Sequence, residues 1–583
     1  MPTTSLSRRK LLEALTAMGL GGSVFPEAVW AEARRRSEPT ESVDPVIPNR
    51  TTQSVAITTE IIAAAEQVAG LTFTAEEREL MVEGLNEALE DYAAIRTVTI
   101  PNSVPPALFF DPLLGRAPAV RDDPARVRHR RPRVTRPQSD TDLAFLPVTH
   151  LAELIRTRKV SSKELTNLYL DRLRRYGDTL ECVVSLTEEL ALEQAARADT
   201  ELARGRYRGP LHGIPWGAKD LLATKGYRTT WGAKPYEDQV VAEDATVVSR
   251  LKEAGAVLVA KLTLGALAWG DVWFGGKTRN PWNLEQGSSG SSAGPAAATV
   301  AGLVGFAIGS ETWGSIVSPA TRCGATGLRP TFGRVSRHGA MALSWSMDKL
   351  GPLCRSVEDC ALVLEAIAGP DGIDPTVRDV PFSYDGTRSL ERLRVGYLRA
   401  AFEEDHRTKT HDEAALAVIG TLGVSLEPIE LPQSFPTSAI SFILSAEAAT
   451  AFDDLTRSNR DDLLTRQIAN AWPNVFRQSR FIPAVEYLQA NRLRTMLIQA
   501  TNAALADIDV LIAPSFGQDI LLRTNLTGHP AVVVPSGFAE GAPASSLSFI
   551  GQLFDEESPL LLARAFEAAT DYHQRHPPSF LDV

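Results

Sequence analysis

From about Phe145 onward the sequence alternates helical and strand signals, and this alternation limits what the chain can fold into. Ser161 and Glu164 form a Ser-x-x-Glu capping pattern ahead of an amphipathic run through Leu173. Thr246 to Gly255 reads as a helix closed by glycine, and Val257-Leu258-Val259-Ala260 follows it as a strand. Later, the apolar run Val510-Leu511-Ile512-Ala513 reads as a buried strand, and Ala531-Val532-Val533-Val534-Pro535 as another. Such alternation predicts an α/β core with crossover helices. With 583 residues, 44% of them hydrophobic, the chain has ample length for a large core.

The N-terminal part is organised differently. Ser7-Arg8-Arg9-Lys10-Leu11-Leu12 sets twin arginines before a modestly apolar run to Val24, and Ala31-Glu32-Ala33 offers a cleavage site. Residues 1–33 thus resemble a twin-arginine export signal, which implies a periplasmic or extracellular protein; a basic tail is the plainer alternative. Residues 34–54, rich in Arg, Ser, Pro and Thr, read as a linker. Residues 55–111 read as a helical segment. A first helix is expected from about Glu60 to Ala69, and a Thr74/Glu77 capping box opens a second. On that second helix Met81, Leu85, Ala88, Tyr92 and Ile95 share a face. Residues 112–140 form a Pro/Arg-rich connector, which leaves 141–583 for the α/β domain.

Charge and cysteine usage narrow the function. A net charge of −11 argues against nucleic acid as a partner. Four cysteines, Cys182, Cys323, Cys354 and Cys360, are too few for a disulfide framework and lack zinc-site spacing, so they read as buried thiols. No stretch is long and apolar enough to span a bilayer.

Two serine clusters carry the chemistry: Gly290-Ser291-Ser292-Ala293-Gly294-Pro295, and Gly309-Ser310-Glu311-Thr312-Trp313-Gly314-Ser315-Ile316-Val317. The apolar stretch Ala296 to Ile308 between them reads as a buried helix. Upstream lies Gly213-Ile214-Pro215-Trp216-Gly217-Ala218-Lys219-Asp220. None of the nine histidines falls in either cluster, although a distant one could still fold in. A lysine enclosed by the fold can lose its proton and accept another.

Together these segments resemble the amidase signature family, which uses a Ser-Ser-Lys triad. Thr278-Arg279-Asn280-Pro281-Trp282-Asn283, Cys323 to Thr331, Gly351 to Asp359 and Thr527-Gly528-His529-Pro530 extend the likeness over roughly 145–580. The resemblance implies a large mixed β-sheet flanked by helices, with a helical N-terminal extension. It implies Ser315 as nucleophile, Lys219 as base, and Ser291 as a bridging serine after a cis peptide from Gly290. The backbone amides of Thr312, Trp313, Gly314 and Ser315 would form the oxyanion hole, with Ser292 a supporting neighbour. The family's spacing back from Ser315 selects Ser291 over Ser288. The mechanism requires neither metal nor organic cofactor. The expected partner is a small-molecule amide substrate, and a homodimer is an open assembly.

The chain departs from the family's common loop, Gly-Thr-Asp-x-Gly-Gly-Ser-Ile-Arg, at Trp313 and Val317. The Trp313 indole is expected to shape the acyl pocket; were it to block the oxyanion hole, the protein would be an exported amide-binding pseudoenzyme. Ala69 to Arg78 resembles the small helical subunit of tRNA-dependent amidotransferases, so a glutaminase subunit is a further alternative. Gly290-Ser291-Ser292-Ala293-Gly294 also fits a Gly-x-Ser-x-Gly elbow with Ser292 as nucleophile, but Asn280 to Ser288 before it reads as a turn, not a strand. Trp345 and Asp348 receive no role.

Overall fold

A computed structural model describes residues 56–98, 127–129 and 131–581. The twin-arginine segment 1–33, the linker 34–54 and residues 112–126 of the connector lie outside the described residues. Eleven strands form one mixed sheet. They are β1 (Val183–Leu186), β2 (Pro215–Lys219), β3 (Val257–Leu262), β4 (Phe306–Glu311), β5 (Thr326–Arg329) and β6 (Lys349–Cys354), then β7 (Val395–Leu398), β8 (Leu426–Ile429), β9 (Val510–Pro514), β10 (Ala531–Ala539) and β11 (Ala542–Gly551). Their order across the sheet is β8-β7-β9-β11-β10-β5-β6-β4-β2-β3-β1. β2, β3, β4, β6 and β9 are buried along their whole length, as strands covered by helices on both faces must be.

The strands that matter for chemistry are neighbours. β2 runs parallel to both β3 and β4, with Ala218 level with Ile308. The carboxyl ends of β2 and β4 therefore emerge side by side, the place where α/β sheets bind ligands.

Two expectations need correcting. The stretch Ala296 to Ile308 is not one helix: the helix spans Ala293–Val300, and β4 begins at Phe306. Gly302 turns the chain at φ 66°, and a side chain at Gly305 would press within 2.8 Å of the Pro215 carbonyl, so the run leaves the helix to enter the sheet beside β2. A run this apolar has no periodicity to separate helix from strand. Asn280 to Ser288 is likewise more ordered than a turn: Arg279–Asn280 and Asn283–Gly287 pair as an antiparallel hairpin outside the large sheet.

The helical extension comprises α1 (Thr59–Ala69) and α2 (Ala75–Arg96), and α2 opens with the complete Thr74/Glu77 capping box. Met81, Tyr92 and Ile95 are buried, whereas Leu85 and Ala88 on the same face are half-buried. Tyr92 meets Phe442 edge to face at 5.5 Å, and Glu77 pairs with Arg477 at 2.6 Å. Ile95 packs in a cluster with Met347, Leu493 and Leu522, and Met347 adjoins Asp348. Among the described residues no helix is long and apolar enough to cross a membrane. Ile95→Ala is expected to cost about 2–5 kcal/mol at this contact, seen as a lower melting temperature and faster proteolysis within 59–98. Unchanged protection would mean that α2 docks without it.

Candidate active site

Lys219 closes β2 with no exposed surface. Its Nζ lies 2.8 Å from Ser291 Oγ, 2.9 Å from Ser310 Oγ and 3.1 Å from Ser292 Oγ. Burial drives its pKa well below the ordinary lysine value of 10.5, although the negative charges of Asp348 and Glu311 oppose that shift. A neutral amine has two protons and one lone pair, so with three hydroxyls around it one hydroxyl can donate to nitrogen. Ser292 is already committed, since its Oγ donates to the Ser310 carbonyl and accepts from the Ser310 amide, each at 3.1 Å. Ser291 and Ser310 remain as the hydroxyls able to hand Lys219 a proton.

The first cluster is shaped by close backbone approach. The Gly290–Ser291 peptide is cis. A Cβ on Gly290 would stand 1.8 Å from the Gly270 carbonyl oxygen, so only glycine fits there. Ser288 turns away and bonds the Ser289 carbonyl, and it is Ser291 that reaches the lysine. The Ser292 amide donates to the Ser315 carbonyl at 3.1 Å, tying the two clusters together. No hydrogen bond joins Ser291 to Ser315 among the described residues. The fully buried, committed Ser292, preceded by a hairpin outside the main sheet, makes a poor nucleophile elbow.

The second cluster runs from the end of β4 through the loop Thr312–Ser315 into the helix Val317–Cys323. Glu311, fully buried, accepts from the amides of Ile316 and Val317 at 2.8 and 2.9 Å. Its other oxygen takes Arg329 and Asn525, both at 2.8 Å. Burial opposes ionisation, but Arg329 and these donors hold the Glu311 pKa down to about 2. Thr312 Oγ1 donates to Asp348 at 2.5 Å, and the Ser318 amide donates to the Gly314 carbonyl at 2.7 Å. With Gly314 at φ 87°, the loop is anchored on both sides. The amides of Thr312, Trp313, Gly314 and Ser315 are left without acceptors among the described residues. A run of free, fixed N–H groups is what an oxyanion requires.

The two departures fit this frame. The Trp313 side chain is 43% exposed and lines neither of the two cavities beside the serine loops described below. Val317 is buried among Ile316, Ala320, Cys323 and Leu353, an apolar setting.

Sequence reading assigned no role to Ser310 or to Asp348. Ser310 completes the hydroxyl cluster at Lys219. Half-buried Asp348 accepts from the Leu343 and Ser344 amides as well as from Thr312, and desolvation raises its pKa. The β2–β4 register would have revealed Ser310, but no single segment encodes it.

A cavity of about 530 Å³ adjoins the cluster, with Ser310, Thr312 and Asp348 in its wall and Trp345 and Ile373 among its exposed lining residues. A second, of about 640 Å³, touches the loops at Ser289 and Ser318. Among the described residues no group of three or more His, Cys, Asp or Glu is arranged to hold a metal ion. The four cysteines are buried free thiols.

A family model described as Amidase matches residues 164–522. A glutamyl-tRNA(Gln) amidotransferase subunit of Moorella thermoacetica is 35% identical over 485 residues, 75% of this chain and 99% of that one. Among solved structures, the native peptide amidase of Stenotrophomonas maltophilia gives a TM-score of 0.68 at 30% identity, covering 76% of this chain and 100% of that chain. A bacterial aryl acylamidase described as an amidase signature enzyme shares the fold at TM-score 0.66 and 23% identity, covering 74% of this chain and 98% of that chain.

Gly290→Ala is expected to force the Ser291 loop off the Gly270 carbonyl, costing about 1–3 kcal/mol in melting experiments and most of the turnover. A fully active, equally stable variant would refute the close-approach account. The lysine has its own signature. Between its lowered value in the fold and the ordinary value of 10.5, the unfolded chain keeps a proton on Lys219 that the folded chain lacks. Stability linked to this site therefore rises with pH up to that value. Melts of the parent and of Lys219→Met at about pH 7 and about pH 9.5 should show the difference moving in the parent's favour as pH rises. A pH-independent difference would mean that the amine stays charged.

Proposed function

The chain belongs to the amidase signature family and is an amide hydrolase, and we propose that it opens the carbon–nitrogen bond through an acyl-enzyme on Ser315 with Lys219 and Ser291 as proton relay. The observation that carries this reading is the buried Lys219 amine among hydroxyls, beside a loop of four free amides. As Ser315 Oγ attacks the carbonyl carbon, its proton passes to Ser291, and the Ser291 proton passes to neutral Lys219. The amides of Thr312, Trp313, Gly314 and Ser315 receive the oxyanion. On collapse the relay returns a proton to the leaving nitrogen and the carbon–nitrogen bond breaks. Water then attacks the acyl-enzyme with the same relay as base, releasing the carboxylic acid and restoring Ser315. In this reading residues 141–583 are the catalytic domain and 55–111 a helical clamp on it. The twin arginines Arg8 and Arg9 support export, which Arg8→Lys with Arg9→Lys in a reporter fusion would abolish.

A second reading is favoured by the relatives. They are amidotransferase subunits matched over nearly their whole length, and the helical extension resembles such an enzyme's small subunit. Glutaminase activity stimulated by charged tRNA would establish it.

Fluorophosphonate labelling of the purified protein, with peptide mapping, tests the mechanism. The adduct is expected on Ser315 and absent in Ser315→Ala, and Lys219→Ala should slow labelling and turnover by roughly a thousandfold or more. Full turnover by Ser315→Ala would overturn the assignment. An adduct on Ser292 would favour the elbow reading, and no adduct would favour a pseudoenzyme.

A further inference from the structure

We infer that the cavity of about 530 Å³ beside the Lys219 cluster receives an uncharged, apolar part of the amide substrate and rejects the zwitterionic head of glutamine; this rests on the acyl-enzyme reading of Ser315. The cavity adjoins the Lys219 cluster, because Ser310, which bonds Lys219, and Thr312, which opens the loop to Ser315, line it. Its apolar wall comes from Leu221, Ala268, Met341, Leu343 and Leu350.

The carboxylates and the guanidinium in the lining are already partnered by the protein. Arg337 Nε meets Asp374 Oδ2 at 3.1 Å, while its terminal nitrogens donate to the Trp345 carbonyl at 2.7 Å and to Thr376 Oγ1 at 2.9 Å. Asp374 also accepts from the Arg337 amide, and from the Thr376 amide and hydroxyl. Asp348 is taken by Thr312, Leu343 and Ser344. Glu447 accepts from Ser344 Oγ, the Ser346 amide and Oγ, and the Tyr487 hydroxyl, at 2.6–3.0 Å. His338 faces Glu243 at 3.7 Å. Glutamine would bring an ammonium and a carboxylate into a space whose counter-charges are already spoken for, and a buried charge without a partner is strongly disfavoured. An apolar group only gains by leaving water.

The second cavity contrasts with this. Arg322 and Arg407 line it, and neither is ion-paired among the described residues.

The test is protection of Ser315 from fluorophosphonate in the full chain. Hexanamide and phenylacetamide are expected to protect at concentrations about tenfold or more below those needed for L-glutamine or adipamic acid. Asp374→Asn leaves Arg337 without its carboxylate, so adipamic acid should then gain protection by about tenfold relative to hexanamide. Equal protection by L-glutamine in the parent overturns the inference, and its loss in Arg322→Ala would assign the charged head to the second cavity. No gain for adipamic acid in Asp374→Asn, with hexanamide still protecting, also overturns it. Absence of any Ser315 adduct instead removes the acyl-enzyme reading beneath it, a distinct outcome that takes the inference with it.

Discussion

Lys219 stands fully buried at the end of a central strand, and among the described residues its amine meets serine hydroxyls, not a carboxylate. The adjoining Asp220 would be the natural counter-ion, but it is turned to Lys261, which it meets at 2.7 Å with both side chains fully buried. Thr230 holds the other Asp220 oxygen through its amide and hydroxyl. Burial then outweighs the more distant charges of Asp348 and Glu311, and burial disfavours the ammonium. Hydroxyls can serve either protonation state, because each both donates and accepts. The serine clusters are therefore the surroundings that a working neutral lysine needs.

Glu311 does for the Thr312–Ser315 loop what Asp220 does beside the lysine. A buried carboxylate is costly unless its lone pairs are occupied, and Glu311 has Arg329, Asn525 and two backbone amides. By consuming the amides of Ile316 and Val317 it fixes where the helix begins, and the amides just before that point remain free. Asp348 fixes the other shoulder through Thr312. Two carboxylates that touch no reacting atom thus set the backbone that would.

Much of this was legible from sequence, for unequal reasons. The α/β class followed from alternating helical and strand runs, and the large mixed sheet with its helical extension matches the fold the family resemblance implied. Lys219, Ser291 and Ser315 stand in local motifs with fixed spacing, and the fold brings Lys219 against Ser291. Ser310 and Asp348 depend on which strands pair and in what register, information spread across the whole domain. The helix expected through Ile308 failed because a uniformly apolar run suits a buried helix and a central strand equally. Trp313, expected to shape the acyl pocket, has an exposed indole that lines neither of the two cavities described, while its backbone amide is free among the described residues.

The contact between α2 and the pocket wall has a consequence for concentration. Ile95 and Met347 share one apolar cluster, Met347 adjoins the wall residue Asp348, and Asp348 holds Thr312. Helix and wall belong to one chain, so their association is intramolecular and its effective concentration is set by the tether. A brace supplied by a separate polypeptide would dissociate on dilution and leave the wall unsupported. Here the brace is present at the same occupancy in the most dilute solution as in the most crowded one.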